Sequence, residues 1–173
     1  MAGKYYVPYS ISKAEIKFSV PVDVDYSEPL VQAVEANEFN GVNWNSVDPT
    51  TIQLSGRGKV CQEVFGLLPD HLGVDYGDLC GAVESSVYAF ADALVFARLC
   101  VQHRNIKPKY RFATVVPVQN RHSWTMFVQC RQQVGKGMQY EERRDMWFDR
   151  GKIWNAWNGA CLYMLVKKSG RRS

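Results

Sequence analysis

The chain has 173 residues, of which 46% are hydrophobic, 13% aromatic and 22% charged, and its formal net charge is +4. These proportions exclude a disordered tail, a collagen-like repeat and a coiled coil. The length suits one domain, residues 1–173, and no apolar run approaches the ~18 residues of a membrane span.

The opening MAGKYYVPYS holds no apolar run of the signal-peptide kind, and residues 4–9 suggest a short strand beside that of residues 14–24. Residues 14–24 give the clearest strand signal. Ile16, Phe18, Val20, Val22 and Val24 alternate with polar residues and Pro21, which predicts one wet face. Pro21 cannot donate to a ladder, so this is an edge strand, or Pro21's side of it faces outward. Residues 28–36 predict a short helix, with Ser27 as cap, Pro29 in the first turn and Asn40-Gly41 as a stop. The run NWNSVDPT is turn chemistry. Two strands are expected next, at 51–54 and 59–67, joined by Ser55-Gly56-Arg57-Gly58.

Residues 76–103 predict one long helix of about 40 Å. Its apolar stripe runs Leu79, Val83, Val87, Phe90, Leu94, Ala97 and Val101. A second stripe of small residues, Ala82, Ser86, Ala89 and Ala93, would let a backbone approach closely, from this domain or from a second copy. A homodimer through this helix is one expectation. Residues 109–118 and 123–131 read as strands around Gln119-Asn120-Arg121, and 132–145 as a polar loop. Residues 153–157 and 160–166 flank Asn158-Gly159, a hairpin signal. The expected fold is α+β: one long, largely buried helix on a mostly antiparallel sheet, with a short N-terminal helix and a basic C-terminal tail.

Charge divides along the chain. Residues 1–80 carry 5 basic and 11 acidic side chains; residues 81–173 carry 16 basic and 6 acidic. Such a split points to a polyanion partner, or to two halves that neutralise each other on folding. If the loop after residue 118 holds an odd number of residues, Phe112, Val116, Trp124, Met126 and Val128 share the core face. Lys109, Arg111, Phe127, Gln129 and Arg131 then share the opposite face. An aromatic ring among cations on an open sheet stacks bases and meets phosphates. A covering layer would instead make Phe127 ordinary core. Lys167, Lys168, Arg171 and Arg172 would add phosphate attraction.

Other constellations carry less. The five cysteines, at 61, 80, 100, 130 and 161, form no CxxC pair and read as free thiols of a reducing compartment, the cytoplasm first. Ser55-Gly56-Arg57-Gly58-Lys59 lacks P-loop spacing and reads as a turn. Asp70, His71, Asp75 and Asp78 fit no EF-hand loop and are explained by helix capping. Asp23 and Asp25 lie about 6.6 Å apart on one strand face. His122 and Cys130 stand about 27 Å apart on a continuous strand, too far for a dyad. Of the five tryptophans, Trp147, Trp154 and Trp157 sit among arginines and lysines, as a stacking platform or an interface anchor would.

No metal or cofactor fingerprint occurs. The leading expectation is a non-catalytic binding protein for a polyanion, above all single-stranded or structured nucleic acid. Two alternatives stand beside it: a protein-interaction module such as an inhibitor or accessory factor of nucleic-acid machinery, and an enzyme whose site is assembled from distant segments.

Overall fold

The alternation of residues 16–24 builds the first strand, β1 (Ile16–Asp25). The computed structural model describes residues 9–69, 74, 76–106, 111–118, 123–134, 140–150 and 161–169. Val22 and Val24 of β1 enter the core, and Phe18 and Val20 pack against it. The helix signal at 28–36 becomes α1 (Leu30–Glu35), which buries Leu30, Ala33 and Val34. Strands β2 (Gly41–Asn43) and β3 (Lys59–Leu67) follow. Residues 51–54 are not a strand. Asp48 accepts from Thr50 N and starts a single 3-10 turn at Pro49–Thr51, after which Ile52 makes one isolated bridge to Val118. An Asp-Pro pair is a better turn starter than strand former, which explains the difference.

The single long helix at 76–103 is also overturned. The chain forms α2 (Tyr76–Ser85), a short strand β4 (Tyr88–Phe90) and α3 (Ala93–Gln102). Ser86 Oγ donates to Val83 O and accepts from Tyr88 N, which turns the chain out of α2. Asp92 restarts it: its Oδ1 accepts from Leu94 N and Val95 N, an N-cap geometry. Between them the chain passes from one face of the sheet to the other. Leu79 and Val83 pack in one core with Phe65, Leu67 and Phe127; Leu94 and Ala97 pack in the other with Val64, Phe112 and Met126. Two helices on opposite faces thus reproduce the apolar spacing of one. Val87 alone betrays the break, at 66% exposed. The small-residue stripe is divided among α2, the turn, β4 and α3, so no continuous helix face carries it.

Strands β5 (Arg111–Pro117), β6 (Ser123–Val134), β7 (Tyr140–Arg150) and β8 (Cys161–Lys167) complete the sheet. Among the described residues it has eight strands in the order β1-β3-β8-β5-β6-β7-β2, with β4 also paired to β8. The sheet is mixed rather than mostly antiparallel: β5 runs parallel to β8, and β2 parallel to β7. Phe112–Val116 of β5 and Cys161–Leu165 of β8 are buried without interruption. Such runs mark strands covered on both faces. Phe112, Val116, Trp124, Met126 and Val128 do share one face, in the core with α1 and α3. The polar stretch 132–145 is largely strand, because β6 and β7 continue as a paired ribbon past the end of β5. The expected strands at 4–9 and 153–157 and the Asn158-Gly159 hairpin fall almost wholly outside the described residues.

Asp92 is 5% exposed and accepts two further groups at Oδ2: Tyr26 OH at 2.8 Å, and Ser55 through both N at 2.9 Å and Oγ at 2.7 Å. Removing it strips a helix cap and orphans buried donors. Asp92→Ala is expected to lower stability by about 3 kcal/mol. A shift in urea-unfolding free energy below about 1 kcal/mol would show that the crossing is held by something else.

Candidate nucleic-acid interface

Ladder register decides which cations meet. Phe127 lies opposite Ala113 on β5 and Trp147 on β7, Gln129 opposite Asp145, and Arg131 opposite Arg143. Opposite residues share a face, so Arg111, Gln129, Arg131, Arg143 and Asp145 lie on the α2 side of the sheet, beyond Phe127 and Trp147. Arg143, half exposed, donates from Nε to both carboxylate oxygens of the buried Asp145, at 3.1 and 2.9 Å. Arg111 and Arg143, and the ladder position of Arg131, therefore fall at one corner, on three neighbouring strands. Arg143 was not anticipated: reading 132–145 as a loop hid the register that places it.

Other expected members stand apart. Phe127 is 5% exposed and packs with Phe65, Leu67 and Leu79, so its ring presents no open face to a base. The layer that covers it is α2. Lys167 lies six residues along β8 from the residue paired to Arg111, about 20 Å from the corner. Its ammonium sits 5.4 Å from the Phe65 ring centroid. Lys168 closes α2: its Nζ donates to Val83 O, Glu84 O and Ser86 O. Lys109, Arg171 and Arg172 lie outside the described residues.

The same closure recurs on the other helices. Arg104 Nη2 donates to Ala36 O at the end of α1, at 2.8 Å, and Arg144 Nη2 to Cys100 O in the last turn of α3, at 3.3 Å. Cations suit these carbonyl-rich ends, where the helix dipole is negative. Part of the positive charge of residues 81–173 thus serves the fold.

The remaining constellations are structural among the described residues. The Ser55–Lys59 loop is a turn, with Gly58 at φ 65° and Gly56 beneath the Tyr26 ring, where a Cβ would come within 2.1 Å of ring carbon. Asp23 and Asp25 border an open groove of about 460 Å³ with Lys59, Cys61 and Arg98. Asp25 pairs with Lys59, and Arg98 with Glu28. The Cys61 thiol is pushed up by its hydrogen bond to Asp23, which disfavours the thiolate. Among the described residues no three His, Cys, Asp or Glu are placed to hold a metal. Asp70, His71, Asp75, His122, Trp154 and Trp157 lie outside them. Trp124 is core, Trp44 stacks on Phe148, and Trp147 packs against the α2-side core. No helix among the described residues is long and apolar enough to cross a membrane. No family model, curated protein or solved structure matches this chain.

Lys168→Met is expected to lower stability by about 1 kcal/mol, through the loss of a charged cap on α2. It should leave polyanion affinity unchanged within twofold. A weakened affinity with unchanged stability would reverse that assignment.

Burial, with the Asp92 carboxylate beside it, holds the Tyr26 phenol well above its usual range. Tyr163, buried beside Cys161, is raised in the same way. A phenol raised by folding contributes stability that is complete below its unfolded value, about pH 10, and is lost as pH climbs above it. Tyr26→Phe should therefore show a smaller loss of urea midpoint between pH 9 and pH 11 than the wild type. An equal loss in both would place the alkaline sensitivity elsewhere.

Proposed function

We propose that this chain is a non-catalytic binding protein for a polyanion, nucleic acid first among them, and that the contact is the β5–β6–β7 corner. The observation that carries the reading is the ladder opposition of Arg131 and Arg143, one strand away from Arg111. Like charges directly opposite each other destabilise a sheet by a few tenths to about 1 kcal/mol. A phosphate between them turns that repulsion into attraction. Asp145 pairs with Arg143 and holds it in place. The charge split supports the same partner, since the five strands of the basic half, β4 to β8, are contiguous in the sheet among the described residues.

Burial of Phe127 narrows the chemistry. Without an open ring there, the contact is with the phosphate backbone rather than with stacked bases, and sequence preference is weak. Free thiols at Cys61, Cys80, Cys100 and Cys161 favour a reducing compartment, the cytoplasm first.

One observation favours the second reading, a protein-interaction module such as an inhibitor or accessory factor of nucleic-acid machinery. Arg104, Arg144 and Lys168 are engaged at helix ends, which removes them from any phosphate surface.

Anisotropy of labelled single- and double-stranded oligonucleotides over a salt series tests the proposal. Affinity should fall with salt, and Arg111→Gln, Arg131→Gln and Arg143→Gln should each reduce the log–log slope by about 1. Absence of binding at low salt, or slopes unchanged in folded variants, would sink it and move the search to protein partners.

A further inference from the structure

The groove at the C-terminal end of β1 holds no metal-ligating set, but its charges are only partly used. It has a volume of about 460 Å³ and is lined by the last residues of β1, the first of β3, and Arg98 and Gln102 of α3. Ladder register fixes the strand wall: Asp23 lies opposite Cys61, and Asp25 opposite Lys59. Opposite residues share a sheet face, so these four stand on one side of the sheet. Arg98 and Gln102 stand on successive turns of α3 and form the helix wall. Gln102 joins the two walls: its Oε1 accepts from Asp23 N at 2.9 Å and its Nε2 donates to Asp23 O at 2.7 Å. Strands β3 and β8 separate this groove from β5, so it is distinct from the corner proposed for polyanions.

Two charged groups of the lining lack full partners. Arg98 Nε and Glu28 Oε2 stand 3.0 Å apart, yet neither atom makes a hydrogen bond. The pair is an attraction of charges without an aligned N–H. Among the described residues Glu28 is the one partner of Arg98, although a guanidinium carries a whole fork of N–H donors. The Arg98 side chain is 26% exposed, so water serves that fork only in part. Donors withdrawn from water are costly until bonded. Asp23 has the opposite lack. Its carboxylate accepts from the Cys61 thiol, a weak donor, and among the described residues no cation is paired with it. Asp25, by contrast, accepts from Ser27 N and Oγ and lies 3.6 Å from Lys59.

We propose that this groove binds a small zwitterion, an α-amino acid or a short peptide, with the ligand's carboxylate on the Arg98 fork and its ammonium on Asp23. Charge selects the class. A simple amine gains Asp23 but meets Lys59 and Arg98. A simple carboxylate gains Arg98 but meets Asp23 and Asp25. A molecule that carries both charges satisfies both walls and leaves the net charge of the groove unchanged. The planar fork of a guanidinium matches a carboxylate with two parallel hydrogen bonds, which fixes the ligand's orientation as well as its charge. Half-buried Val60 adds apolar surface to the lining, which suits an apolar ligand side chain. The groove is open, so the expected dissociation constant is high, on the order of 1 mM.

The test is amide NMR of the full chain, titrated with L-leucine and, separately, with leucyl-leucine. One or both should shift the Asp23, Val60 and Arg98 amides and saturate in the millimolar range. The tighter of the two names the source, free amino acid or peptide. Isoamylamine is leucine without its carboxylate, and 4-methylpentanoate is leucine without its ammonium. Each should bind about tenfold more weakly than the better zwitterion. Arg98→Lys keeps a charge beside Glu28 and removes the fork, while Asp23→Asn keeps the shape and removes the charge. Each should weaken the better zwitterion by about tenfold. The proposal is overturned if neither zwitterion shifts these amides at about 20 mM. It is also overturned if a one-charge analogue binds as tightly as the better zwitterion, or if either folded variant binds as the wild type does. Should one variant fail to fold, the other variant and the two analogues decide.

Discussion

A buried carboxylate, Asp92, fixes the way this chain is layered. It sits where β4 gives way to α3, and its two oxygens serve different parts of the molecule. Oδ1 starts α3 through Leu94 N and Val95 N. Oδ2 ties that helix start to Tyr26, just past β1, and to Ser55, just before β3. A group so enclosed is stable only with its hydrogen bonds complete, and here both oxygens are engaged. Because the crossing is pinned, α2 stays on one face of the sheet and α3 on the other. Both faces of the central strands are then covered, and that alone decides that Phe127 is core and not a platform.

The charges follow from the same layering. Three short helices end against other elements, and each end carries carbonyls with no partner in the helix. Arg104, Arg144 and Lys168 meet those carbonyls, all from residues 81–173. The acidic half answers with Glu28 on Arg98 and Glu38 on Arg104. A basic half is therefore partly a consequence of building helices too short to satisfy their own ends. Among the described residues, Arg111 and Arg143 and the ladder position of Arg131 fall near one another on β5, β6 and β7, and the proposed polyanion contact rests on that placement.

Strong local patterns were legible in the sequence. Period-two alternation placed β1, Pro21 placed it at an edge, and the Pro29 start placed α1. The faces of Phe112, Val116, Trp124, Met126 and Val128 were also legible, since the connection from Pro117 to Ser123 holds five residues. The long helix failed for a physical reason. Residues spaced three and four apart mark burial at helical period, but they do not say into which core. Leu79 and Leu94 satisfy one stripe while facing opposite layers. Ser86 and Asp92 were the breaks within it, and each is ordinary on a helix surface. The β6–β7 ribbon was illegible for the opposite reason. Residues 130–134 and 140–144 owe their strand form to pairing with each other, which leaves no apolar period in either segment. Arg143 opposite Arg131 belongs to that register and to no local motif.

Covering both faces of the sheet sends recognition to its rims. The two rims are managed in opposite ways. At β1, Gln102 covers Asp23 N and O and His103 meets Pro21 O, so the end of α3 closes part of the outer edge. At the other side, β2 pairs with β7 over only Gly41–Asn43, with Asn40 extending the pairing through Arg144. Past that short cover, β6 and β7 pair with each other as far as Val134 and Tyr140. A two-stranded ribbon is marginal in water, and the ladder position of Arg131 lies opposite that of Arg143 within it. Asp145 holds Arg143 from two residues away along β7. In the function proposed above, an anion placed across the two strands would join them. Such binding would stiffen the ribbon, so that the proposed affinity for a polyanion would be coupled to the order of the element that carries it.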